Sequence, residues 1–111
     1  MKRVRCVESP DQSLAEELES IYGYDFVVCD KFLLDDTDVT EFINGMYSPI
    51  DRKIYIKPNV SERTIHHEVC HAIVHDEHPE LYDRYLETFD PQIRIEIEKL
   101  VEKCVRERFG D

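Results

Sequence analysis

The sequence predicts an α+β domain, and three observations carry that expectation. A capped amphipathic helix pattern begins near Ser9, short apolar and alternating runs occupy residues 26–57, and two longer capped helical patterns follow from Asn59 onward. Strand signals gathered between helix signals, with no strict strand–helix alternation, imply a small antiparallel or mixed sheet with helices packed on it.

Each element has a local cause. Ser9 caps the first helix, Pro10 suits its first position, and Gln12 completes a capping box. Leu14, Leu18, Ile21 and Tyr22 then form one apolar stripe, which Gly23 stops. Phe26-Val27-Val28-Cys29 is a short apolar run of the kind a buried strand needs. Asp35-Asp36-Thr37-Asp38 is a solvated turn; it lacks the Gly and distal Glu of a calcium loop at the required offsets. Residues 39–47 look extended, with a hairpin turn or a bulge at Asn44-Gly45. After a turn through Pro49 to Arg52, Lys53-Ile54-Tyr55-Ile56-Lys57 alternates as a half-buried strand should, and Pro58 ends it. Asn59 and Glu62 form a second capping box for a helix running to Glu77, closed by His78-Pro79. A Tyr-rich acidic connection leads to Asp90 and Pro91, which cap and start a last helix ending at Gly110.

Composition bounds the function. A chain of 111 residues is a single domain, 1–111, large enough to bury a core. Acidic residues outnumber basic ones 25 to 14, for a net charge of -11. Such a surface repels phosphate backbones and anionic lipid, so neither nucleic acid nor membrane is an expected partner. No apolar run reaches the length of a membrane span, and the basic start lacks the apolar stretch of a signal peptide. Cys6, Cys29, Cys70 and Cys104 are scattered without a Cys-x-x-Cys pair, so free thiols in a reducing cytoplasm are expected.

The chemistry concentrates at His67-Glu68-Val69-Cys70-His71, an H-E-x-x-H pattern inside the second predicted helix. Residues four apart share a helical face, so both imidazoles can reach one metal ion. Glu68 is turned about 100° from His67, placed to act as a base without ligating. Ile65, Val69, Ala72 and Ile73 cluster on the opposite face, separating core from chemistry. A catalytic zinc needs a third protein ligand. Glu77 and His78 are near in sequence but continue the helix or leave it at the wrong angle. The last helix buries Ile93, Ile97, Leu100, Val101, Cys104 and Val105, with Glu98 bordering one edge of that face and Glu96 the other. Periodicity alone leaves both open.

The stretch His67-Glu68-Val69-Cys70-His71-Ala72-Ile73-Val74-His75, preceded by Asn44-Gly45-Met46-Tyr47 and an Ile54-Tyr55-Ile56 strand, resembles the ImmA/IrrE-type zinc metallopeptidases, a gluzincin-like group. The resemblance covers about residues 40–108. It implies a zincin-like minimal domain with a three- to four-stranded sheet, Zn2+ as cofactor, and a Glu ligand on a later helix. In the frame Glu98-Lys99-Leu100-Val101-Glu102, the family pattern selects Glu98 as ligand and puts Glu102 in support of a ligating His. Neither the usual Leu-Leu-Met-Pro-like ending nor an attached DNA-binding or sensor domain is expected, and the size is closer to that of minigluzincins, which can be latent. The implied partner is a protein or peptide substrate, with transcriptional regulators among the candidates.

The resulting expectation is a cytoplasmic zinc metallopeptidase with Glu68 as general base and His67, His71 and Glu98 as ligands. The alternative is a latent or non-cleaving metal-binding regulatory module of the same fold. Tyr55, Tyr82, Arg84 and Tyr85 are candidate stabilisers of a developing oxyanion. His66 is expected to pack at the core edge, and His75 and His78 to sit on the surface. Lys53 to Lys57 is expected to form the sheet edge on which an extended substrate adds.

Overall fold

A computed structural model describes residues 4–6, 10–34, 37–38 and 45–110. Strand β1 (Val4–Cys6) precedes helix α1 (Gln12–Tyr22), followed by β2 (Asp25–Val28), β3 (Phe32–Leu34), β4 (Thr37–Asp38), β5 (Gly45–Ser48) and β6 (Lys53–Ile56). Helices α2 (Glu62–Glu77), α3 (Pro79–Thr88) and α4 (Pro91–Phe109) complete the chain. The α+β class is therefore observed. The radius of gyration is 13.8 Å, near the value of about 13 Å usual for a compact chain of this length.

The strands form two three-stranded sheets. One is mixed, in the order β2-β6-β5, with β2 parallel and β5 antiparallel to β6; the other is antiparallel, in the order β1-β3-β4. Alternation along β6 explains the layering. Ile54 and Ile56 enter the main core with Phe26, Val28, Val69, Ile73, Ile97 and Val101. Tyr55, on the opposite face, packs edge-on against Phe32 at 5.8 Å in a second, smaller core with Cys29. Both faces of β6 are thus buried.

Several expectations need correction. Lys53 to Ile56 is not an edge, because β6 pairs on both sides, with Asp25–Val28 and with Gly45–Ser48. Among the described residues, the outer strands of the mixed sheet are β2 and β5. The connection after His78 is a helix: Pro79 ends α2 and also occupies the first turn of α3. Asp11 caps α1, accepting from Leu14 N at 3.0 Å, and Ser61 caps α2, accepting from Thr64 N at 3.2 Å, in place of Ser9 and Asn59. Ser9 lies outside the described residues, as do Asp35, Asp36 and the Asn44 part of the expected hairpin or bulge. Thr37–Asp38 is a short strand paired with Leu33 and Leu34, where a turn was expected. Ile21 is solvent-exposed; Ala15 and Leu18 carry the buried face of α1.

The free-thiol expectation is also overturned. Cys6 bridges Cys29 and Cys70 bridges Cys104, with Cα atoms 6.0 and 5.8 Å apart. The pairs are 23 and 34 residues apart in sequence, so only the fold brings them within disulfide reach. Scattered spacing hid that pairing, and with it goes the ground for a reducing compartment. Among the described residues no helix is long and apolar enough to cross a membrane.

Candidate metal centre

Helix α2 is amphipathic in an unusual sense, with one side buried and the other bearing chemistry. Val69, Cys70, Ala72, Ile73 and Val74 are buried, while Glu68 and His71 line a cleft and His67 lines a separate hollow with Arg63 and Glu102. Helix α4 packs along α2 through Ile97, Val101 and Cys104, and the Cys70–Cys104 bridge joins the two directly. That packing sets Glu98 opposite the two histidines.

The three side chains converge. His71 Nε2 lies 3.4 Å from Glu98 Oε1, and His67 Nε2 lies 3.8 Å from Glu98 Oε2. One ligand atom from each residue falls within 4.8 Å of the other two. Tetrahedral zinc with bonds near 2.0–2.1 Å separates its ligand atoms by roughly 3.3 Å. The donor set therefore fits a divalent cation after contractions of up to about 1.5 Å. The His67 and Glu98 side chains are 40% and 39% exposed and His71 17%, so an ion and a water have access from solvent. Hydrogen bonding to His71 holds the Glu98 carboxyl below the ordinary carboxylate range; burial opposes this, and the charges of His71, His67 and Arg94 reinforce it.

Glu68 sits beside this cluster without joining it. Its Oε1 accepts from Tyr47 N at 3.0 Å, so the backbone of β5 fixes the carboxylate. Burial raises its pKa, opposed by His71, His67 and the Tyr47 hydrogen bond. A carboxylate with raised basicity next to a cation site is suited to take and return a proton. Gly45 makes the close approach of β5 to α2 possible: a Cβ there would meet Glu68 Cγ at 3.3 Å and Ile56 Cγ2 at 3.0 Å.

The remaining candidates separate clearly. Glu96 is exposed and outside the cluster, and His78 pairs with Glu80 at 3.9 Å. Glu102 shares a hollow with His67, Arg63 and Arg106 but makes no hydrogen bond or ion pair with either histidine among the described residues. Tyr55 belongs to the second core, its hydroxyl bonded to Asp51, and Arg84 is exposed. Tyr82 and Tyr85 line the cleft, a cavity of about 460 Å³ whose apolar wall includes Met46, Leu86, Phe89 and Ile97. Tyr82 is bound to His71: its hydroxyl lies 2.9 Å from Nδ1 and 3.1 Å from the carbonyl oxygen. Burial keeps its phenol firmly protonated.

His66 packs as expected, stacked on Phe109 at 3.9 Å. His75 is a correction, being 3% exposed where a surface position was expected. Its Nδ1 meets the Tyr47 hydroxyl at 2.7 Å and its Nε2 faces Arg52 at 3.4 Å, while Arg52 also binds Asp76 at 3.0 Å. Tyr47 thus serves twice, its amide on Glu68 and its hydroxyl on His75. Gly45-Met46-Tyr47-Ser48 does not alternate, so no local signal marks Tyr47 as inward-facing or pairs it with His75.

Compared with known proteins, the chain matches no family model, no curated protein and no solved structure.

Proposed function

We propose that the chain is a zinc-dependent metallopeptidase built as a minimal zincin-like domain. The observation that carries this reading is the convergence of His67, His71 and Glu98 beside a separately held Glu68. Zinc, when bound, supplies Lewis acidity to the scissile carbonyl and lowers the pKa of the attacking water. Glu68, anchored by the Tyr47 amide, takes the proton of that water and delivers it to the leaving amine. His67, His71 and Glu98 would hold the ion, and the mixed donor set of two imidazoles and one carboxylate suits zinc over harder cations. Substrate is an extended peptide segment. It adds to the outer side of β5, since Gly45, Met46 and Tyr47 border the same cleft as Glu68 and His71.

The test is a comparison of the zinc-loaded wild type with Glu68→Gln on an unfolded protein substrate. Glu68→Gln is expected to keep its zinc and lose at least about 10²-fold in hydrolysis, the usual scale for a missing general base. Hydrolysis surviving within tenfold removes Glu68 from that role. Stoichiometric zinc with no cleavage by wild type leaves a metal-binding module instead of an enzyme.

A further inference from the structure

Tyr82 reaches the site from α3, which contributes no ligand. Its ring is buried, stacked on His75 at 4.5 Å and set edge-on to Tyr47 at 6.3 Å. Its position is therefore fixed by packing, and its hydroxyl is left with two neighbours, both in His71. A phenol carries one proton. The His71 carbonyl oxygen only accepts, so the 3.1 Å contact uses that proton. The 2.9 Å contact to Nδ1 then requires a proton on the imidazole side. The reverse assignment, with the phenol donating to Nδ1, satisfies one contact and leaves two oxygens facing each other with no hydrogen between them.

We infer that Tyr82 is a positioning residue that holds the His71 proton on Nδ1 and so reserves Nε2 for the cation shared with His67 and Glu98. This rests on the metal site proposed above. Nε2 is the ring atom nearest Glu98, 3.4 Å from Oε1, so a cation would enter in place of this longer contact and leave the two shorter Tyr82 contacts intact. Two elements outside the ligand set thereby orient the site: α3 fixes His71 through Tyr82, and β5 fixes Glu68 through Tyr47. His67 Nδ1 has no hydrogen-bond partner among the described residues, so only one of the two histidines is held in this way.

Two measurements test it. The first reads the ring nitrogens of His71 by 15N NMR in metal-free wild type at about pH 8.5, above the ordinary imidazole range. A protonated Nδ1 supports the inference, and a bare Nδ1 overturns it without any variant. The second compares zinc affinity in wild type and Tyr82→Phe, which keeps the stacked ring and removes only the hydroxyl. Affinity is expected to fall roughly 10–100-fold, with the metal-free melting temperature little changed. An affinity within twofold of wild type overturns the inference. Should wild type itself take up no zinc, the metal site fails, while the ring-nitrogen measurement still decides where Tyr82 holds the proton.

Discussion

Glu68, His75 and Gly45 each show how a single position trades one energy against another. His75 is buried among Tyr47, Tyr82, Arg52, Asp76 and Asp83; burial first, then Arg52, lowers its pKa below the ordinary 6.5, with the two aspartates opposing. The unfolded chain takes up a proton there that the folded chain resists, so this contribution to stability is full above about pH 6.5 and is lost as pH falls towards the lowered value. Denaturant melts of wild type and His75→Gln across that window are expected to show a shallower pH slope for the variant; parallel slopes remove His75 as the source. Gly45→Val places methyls against Glu68 and Ile56. Zinc content should be unchanged while hydrolysis drops roughly tenfold to a hundredfold, because Glu68 is displaced and the ligands are not. Equal losses of metal and activity would instead indicate a general packing defect. Legibility at this scale follows locality. His67, Glu68 and His71 could be placed from the helical period alone, whereas the contacts of Tyr82 and His75 cross between elements and leave no mark in the sequence.

Among elements, those with strong local signals were placed well. Asp90, Pro91 and Gly110 bound α4 as its sequence implies, with Asp90 accepting from Gln92 N at 2.9 Å. Helix α3 escaped because His78, which precedes it, makes no side-chain cap bond, and Pro79 looks equally like the stop of one helix or the start of another. Strand β6 escaped for a different reason. Its alternation was read as polar outside and apolar inside, but the second small sheet buries Tyr55 as well. The disulfides tie elements far apart in sequence, and the 34-residue separation of Cys70 and Cys104 corresponds to about 3–4 kcal/mol of stabilisation on chain-entropy grounds. A Cys70→Ser, Cys104→Ser double variant is expected to melt at a lower temperature by that scale. Unfolded, unreduced wild type should expose none of its four thiols to a thiol reagent; reaction of all four would restore the free-thiol reading.

For the whole molecule, the sequence conveyed the class and the acidic character more readily than the layering. Two sheets stacked through Phe32 and Tyr55 depend on contacts that no window of sequence contains. The proposed ion binding would be a whole-molecule event as well, since His67 and His71 lie on α2 and Glu98 on α4, helices that unfolding separates. At free zinc a hundredfold above its dissociation constant, the folded state gains about 2.7 kcal/mol. The melting temperature should then rise by on the order of 10 °C. No rise in wild type, or the same rise in a His67→Ala, His71→Ala variant, would exclude this site as the one occupied.

The Cys70–Cys104 bridge joins the same two helices that carry the proposed ligands, so any coupling between bridge and ion would be reciprocal. Whatever factor the closed bridge adds to zinc affinity, bound zinc must return as resistance of the bridge to thiols. Chelation would then expose the sulfurs to reductant, and reduction would loosen the grip on the ion. Loss of either would promote loss of the other by that same factor.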